Sequence, residues 1–120
     1  MTSQDPLIGG LISGGSGQAN AELVVRAIGP SLQQFGVTGL LNDPALEVRD
    51  SQGELVAANN DWETNEEQFR GSAVLHALRP RNERESALRI SLPVGAYTAL
   101  VRGQGNSNGV ALVEVYDLRR

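Results

Sequence analysis

Alternation of apolar and polar positions along the chain predicts a set of short β-strands. The clearest case is a hairpin: Leu46–Arg49 alternates, Asp50–Gly53 has the residue preferences of a type I turn, and Glu54–Ala58 forms the returning arm. The pattern predicts further strands at Glu22–Ile28, Ala87–Leu92, Ala96–Arg102 and Val110–Leu118. A short helix is predicted around residues 65–78, with Thr64 as its N-cap and Pro80 after its end.

These elements predict an all-β fold, an antiparallel β-sandwich or jelly roll of about seven to eight strands with one short helix. The 120 residues are enough for one domain, covering residues 1–120. Residues 1–17 are expected to form a separable N-terminal strand and linker, because the apolar run Leu7–Ile12 is followed by glycine and serine. Only 4% of the residues are aromatic, so the core must consist of aliphatic side chains.

Composition excludes several classes of function. The net charge is −4, and no basic cluster is present, which argues against nucleic acid as a partner. No apolar run reaches the roughly 18 residues of a membrane span, so membrane insertion is not expected. Residues 1–6 have no basic n-region, and no signal peptide is predicted.

Catalytic chemistry has few residues to draw on. The chain has no cysteine, all ten basic residues are arginine, and His76 is the single histidine. A catalytic triad would have to use His76, and no G-x-S-x-G motif accompanies it. We therefore expect that the protein is not an enzyme and that it has no cofactor, unless a calcium ion is bound.

Calcium is the best small-ligand candidate in the sequence. Asn59, Asn60, Asp61 and Glu63 place several hard oxygen ligands within five residues, and Asp43 or Asp50 could approach in the fold. The alternative is an Asx-rich turn whose side chains bind local backbone groups. Trp62 lies in the same segment and either stacks on a sugar ring, which would make a polysaccharide the ligand, or covers the core.

Two other segments invite a structural interpretation. Arg26 lies within a strong apolar strand and needs a carboxylate partner, for which Glu85 and Glu114 are the candidates. Leu7, Ile8, Leu11 and Ile12 are the large apolar residues of a short strand next to flexible residues. That strand could pair within its own sheet, or it could add to a neighbouring subunit and build a homo-oligomer or filament.

Several motifs resemble a β-sandwich domain found near the C-terminus of large exported bacterial surface proteins. They are Val25–Leu32, Asn60-Asp61-Trp62, Glu85-Ser86-Ala87, Gly95–Ala99 and Gly109–Asp117. The stretches 50–61 and 92–98 are distantly similar to the bacterial pre-peptidase C-terminal (PPC) domain. The resemblance implies a secreted or cell-surface location and an accessory role in attachment, spacing or assembly, with no catalytic residue.

Overall fold

The computed structural model describes residues 7–13, 21–103 and 109–118. Most of this part of the chain is β-structure, as predicted. The seven strands are β1 (Leu7–Ser13), β2 (Ala21–Ile28), β3 (Pro44–Asp50), β4 (Leu55–Asn59), β5 (Ser86–Leu92), β6 (Gly95–Gly103) and β7 (Leu112–Asp117). Residues 1–6 and 14–17 of the predicted N-terminal segment lie outside the described residues.

The strands form two antiparallel sheets. One sheet has the order β1-β6-β3-β4, and the other has the order β5-β2-β7. The predicted hairpin is confirmed between β3 and β4: Gly53 N donates to Asp50 O at 3.0 Å, and Gly53 has a positive φ of 82°. The Asp50 carboxylate also accepts hydrogen bonds from the backbone of Gln52 and Glu54, which fixes the turn.

Two apolar clusters account for the burial of the strands. The first takes side chains from both sheets: Leu23, Val25, Ala27, Leu88 and Leu92 from one, and Leu46, Val48, Tyr97, Ala99 and Val101 from the other. The second lies on the opposite side of β2 and contains Val24, Trp62, Phe69, Leu75 and Ala87. Strand β2 is therefore buried on both faces, which explains why its sequence is almost continuously apolar.

The prediction of one helix around residues 65–78 needs correction. Residues 65–78 do not form one helix: a 3-10 helix covers Trp62–Phe69, and a short α-helix, α1, covers Ala73–Ala77. Gly71 lies between them with φ of +100°, a conformation that ends a helix and favours glycine. A further 3-10 helix occupies Pro30–Phe35.

The predicted N-cap was also wrong. Thr64 lies inside the 3-10 helix, and its hydroxyl donates to Asp61 O at 2.8 Å. The side chain that caps α1 is Ser72, whose hydroxyl accepts a hydrogen bond from Leu75 N at 3.1 Å. None of the helices in the described ranges is both long enough and apolar enough to cross a membrane.

Candidate functional sites: the β3–β4 corner and strand β1

The predicted polar segment lies where β4 ends beside the start of β3. Leu46 pairs with Asn59, so the antiparallel register brings the residues before Leu46 alongside those after Asn59. The Ser86 hydroxyl, at the start of β5, lies 2.6 Å from Pro44 O and is also hydrogen-bonded to Asn60 O. We call this junction of Asp43, Pro44 and Asn59–Asp61 the β3–β4 corner.

The side chain of Asn59 stabilises the β3–β4 corner through its hydrogen bonds. Its side chain is buried, and its amide nitrogen donates to Asp61 O and to Thr64 Oγ1, each at 3.0 Å. Its amide oxygen accepts from Ala87 N at 3.0 Å, which links β4 to β5. The amide oxygen of Asn59 therefore already accepts one hydrogen bond, and its role as a calcium ligand stays a prediction.

Two other oxygen atoms in the corner have no such partners. Asp43 Oδ1 and Asn60 Oδ1 are buried, and neither accepts a hydrogen bond. Among the described residues, Trp62 Nε1 is the only other buried side-chain polar atom without a partner, and it is a donor. A buried acceptor without a donor destabilises the fold. A positively polarised group bound to either oxygen atom would therefore stabilise it.

The carboxylates of the corner repel each other. Burial raises the pKa of Asp43 above its ordinary value, the neighbouring Asp61 carboxylate raises it further, and the Arg84 guanidinium opposes both effects. Asp43 therefore lies within electrostatic range of Asp61, as the sequence analysis allowed. Asp50 instead serves the hairpin turn.

The remaining two predicted residues of this segment have different surroundings. Trp62 is 7% exposed and lies in the second apolar cluster, edge to face with Phe69 at 6.3 Å between ring centroids. The Arg79 guanidinium lies 5.9 Å from its ring centroid. The ring thus covers the core and offers no open face for a sugar. Glu63 is exposed at the surface of the 3-10 helix.

Glu85 is a structural residue whose role the sequence analysis missed. Its carboxylate is fully buried and accepts hydrogen bonds from Gly29 N at 2.9 Å, Ser31 N at 2.7 Å and Ser31 Oγ at 2.6 Å. A fourth donor, Asn82 N, lies at 3.3 Å. Glu85 therefore caps the 3-10 helix Pro30–Phe35 from a distant loop. The sequence contains one indication of this role. The N-cap position of the helix is Gly29, which has no side chain to accept a hydrogen bond from the first backbone amides.

Arg26 pairs with one of its two predicted partners. It lies opposite Glu114 in the β2–β7 register, and its Nε donates to Glu114 Oε1 at 2.8 Å. The guanidinium also donates to Leu78 O at 3.1 Å and Tyr116 Oη at 3.2 Å. The interaction with Glu114 is confirmed, whereas Glu85 binds backbone amides instead.

The predicted assembly segment forms β1 at one edge of the four-stranded sheet. Leu7, Ile8, Leu11 and Ile12 pair with Val101, Leu100, Tyr97 and Ala96 of β6. In the chain described here this pairing is intramolecular. No other described strand pairs with β1, so its second edge is unpaired within this sheet.

Within the described ranges, no group of three or more His, Cys, Asp and Glu side chains is placed to hold a metal ion. In the β3–β4 corner, the two buried oxygen atoms without a hydrogen-bond partner are Asp43 Oδ1 and Asn60 Oδ1. Comparisons with protein-family models, curated proteins and solved structures returned no match.

Proposed function

We propose that this chain is a non-catalytic structural or interaction module of an exported protein, and that it joins neighbouring copies by exchange of β1. This proposal rests on the position of β1. It is the described strand nearest the N-terminus, and it forms the edge of a sheet whose other members are β6, β3 and β4. Its neighbour in sequence, β2, belongs to the other sheet.

The proposed fold is a β-sandwich with a jelly-roll-like pattern of strands. The first apolar cluster supports the sandwich, because side chains from both sheets contribute to it. Such a domain suits attachment or spacing, since its rigid core leaves the sheet edges available for contacts.

Exchange of β1 follows from the way strands pair. Without β1, the backbone N–H and C=O groups on one side of β6 would be unpaired over Gly95–Val101. The β1 strand of another copy can offer the same seven residues in the same register. A chain of such exchanges is open-ended and would produce a filament, whereas a reciprocal exchange would produce a dimer.

Other sheet edges also carry exposed apolar side chains. On β4, Leu55 is 53% exposed and Val56 is 43% exposed. On β7, the same is true of Leu112 at 42% and Val115 at 43%. Apolar groups on open strands favour contacts with a protein partner, and the net charge of −4 disfavours nucleic acid. The secreted or cell-surface location follows from the family resemblance.

Deletion of residues 1–13 is the first test. We expect the native particle, measured by light scattering after gel filtration, to become smaller while the far-ultraviolet circular dichroism keeps its β-sheet signal. Exchange of β1 predicts this loss because the deleted chain has no strand to donate. A particle of unchanged size would overturn the proposal.

A disulfide test identifies the partner of β1 directly. Gly10 faces Thr98 in the β1–β6 register, and the chain has no cysteine, so the variant G10C/T98C can form one designed bond. We expect oxidised protein to show linked oligomers on a non-reducing gel. The matched control E47C/A58C joins β3 to β4 within one hairpin and should give monomers alone. Monomers in both variants would contradict strand exchange.

A further inference from the structure

A groove on the three-stranded sheet has no role in assembly through β1. It lies on the same side of β2 as the second apolar cluster, and its floor includes the paired residues Arg26 and Glu114 of β2 and β7. One wall is the 3-10 helix Pro30–Phe35, and the other is the segment 79–82 after α1. We call it the arginine groove. It comprises two cavities of about 270 and 380 Å³ that share Ser31, Gln34 and Arg81.

Glu85 fixes the two walls of the groove relative to each other. Its buried carboxylate accepts hydrogen bonds from Ser31 N at 2.7 Å and Ser31 Oγ at 2.6 Å in the helix wall, and from Asn82 N at 3.3 Å in the opposite wall. Arg26 joins the floor to the second wall, because its guanidinium donates to Leu78 O at 3.1 Å. Groups held in this way need no ordering when a ligand binds, which lowers the free-energy cost of binding.

Two guanidinium groups line the groove without a carboxylate partner in the described part of the chain. Arg81 is exposed, and its side chain forms no hydrogen bond or ion pair with a described residue. Arg79 donates to His76 O at 3.1 Å and to His76 Nε2 at 2.7 Å, so its position is fixed while its charge is not neutralised. In a chain of net charge −4, two such cations in one groove favour a ligand that carries carboxylates.

The helix wall of the groove ends in an exposed aromatic ring. Phe35 is 74% exposed, the largest fraction among the large apolar side chains of the described residues. Gln33 and Gln34 precede it and are also exposed, and their amides can donate and accept hydrogen bonds. An open ring face with amide groups suits the C–H face and the hydroxyl groups of a sugar, whereas the anchor side chain of a peptide would need a closed apolar pocket.

We propose that the arginine groove binds an acidic polysaccharide through the carboxylates of its uronate units. Arg79 and Arg81 bind the carboxylates, and Phe35 stacks on a sugar ring. The site differs from the sequence prediction, because Trp62 covers the core and Phe35 supplies the open ring instead. Such binding does not involve β1, and it adds a ligand for attachment to the proposed role in assembly.

Isothermal titration calorimetry of the full chain with a short oligogalacturonate tests the proposal. We expect binding, and we expect the fully methyl-esterified oligomer to bind about tenfold more weakly, because esterification removes each carboxylate charge and keeps the rings. Poly-glutamate of similar length has the charges without the rings. It should also bind about tenfold more weakly, since it cannot stack on Phe35 in the same way.

Substitutions within the groove have matched controls outside it. Arg81→Gln and Phe35→Ala should each weaken oligogalacturonate binding by about tenfold, since one removes a guanidinium and the other removes the stacking surface. Arg102→Gln and Val94→Ala change exposed side chains of the same kind elsewhere and should leave binding unchanged. All four positions are exposed, so each variant should keep the melting temperature of the native chain.

Tryptophan fluorescence gives a second readout of binding. Trp62 is the only tryptophan, and the Arg79 guanidinium lies 5.9 Å from its ring centroid. A carboxylate bound to Arg79 changes the electric field at the ring, so oligogalacturonate should shift the emission. We expect the shift to saturate at the same ligand concentration as the heat signal, in the native chain and in Arg102→Gln.

Three results would overturn the proposal. They are the absence of both heat and emission change with oligogalacturonate, an equal or higher affinity for the esterified oligomer or for poly-glutamate, and equal losses in the groove variants and their controls. A preference for poly-glutamate would make an acidic peptide the ligand instead. None of these results depends on particle size, so failure of the arginine groove is distinguishable from failure of β1 exchange.

Discussion

Glu85 places a carboxyl group at a position with no exposed surface. Four donors from Gly29, Ser31 and Asn82 surround it, and they come from a helix N-terminus and from the loop just before β5. The residue thereby ties β2 and the following 3-10 helix to the start of β5. A buried carboxyl group of this kind stabilises the fold only while every donor remains bound to it.

We expect Glu85→Gln to lower the free energy of unfolding by about 2–3 kcal/mol, because an amide offers one acceptor oxygen and turns an NH₂ group toward bound donors. Urea denaturation followed by tryptophan fluorescence measures the change. Glu83→Gln, an exposed neighbour, is the control and should change stability by less than about 0.5 kcal/mol. Equal effects in the two variants would contradict the assigned role of Glu85.

For single residues, prediction from the sequence succeeded where charge and strand geometry left few candidates for the partner of a side chain. Arg26 needed a carboxylate, and Glu114 was one of two candidates. Prediction was weaker at Asn59–Glu63, because composition shows that oxygen atoms are available but not which of them local hydrogen bonds use. The Asn59 amide oxygen accepts a hydrogen bond from Ala87 N, whereas Asn60 Oδ1 accepts none.

Among the elements, the β3–β4 hairpin was predictable because its determinants are adjacent in sequence. Asp50 supplies the turn acceptor, and Gly53 supplies the positive φ. The segment 62–77 was not, because Gly71 divides it and because burial of Trp62 and Phe69 draws the first half into a 3-10 helix against β5. Tertiary packing decides such a segment more than its own residue preferences.

Strands β2 and β7 are joined by a charged pair that can be measured. We expect a double-mutant cycle with Arg26→Met and Glu114→Gln to give a coupling of about 1 kcal/mol, at the upper end for pairs that are partly open to solvent. The pair Arg49–Glu47 has side chains 36% and 32% exposed and is the matched comparison, with an expected coupling under about 0.5 kcal/mol. Equal coupling energies in the two pairs would show that neither burial nor the contact with Tyr116 strengthens the Arg26–Glu114 pair.

For the molecule as a whole, the sequence predicted the class of fold but not the order of strands. Pairing of β1 with β6 and of β2 with β7 joins segments far apart in the chain, and alternation of apolar residues contains no information about which distant strand is the neighbour. The separation of two apolar clusters by β2 was equally hidden, since a continuous apolar run does not show what covers each face.

If both sheets share one core, truncation of a core leucine should weaken the whole domain. We expect Leu46→Ala, at a side chain 1% exposed, to cost about 2–5 kcal/mol. Leu55→Ala, on the next strand but 53% exposed, should cost less than about 0.5 kcal/mol. Guanidinium denaturation monitored by circular dichroism measures both, and similar losses would contradict a core between the sheets.

The pairing of Leu7 with Val101 also has a consequence for the order of events during folding. Among the seven strands of the described ranges, the first to be synthesised must wait for the sixth, and contacts between such distant segments form slowly. During that interval the edge of β6 is open to any β1 nearby, including one from another nascent or refolding chain. Under the proposed exchange of β1, the local protein concentration during folding would decide whether a chain closes on itself or captures its neighbour.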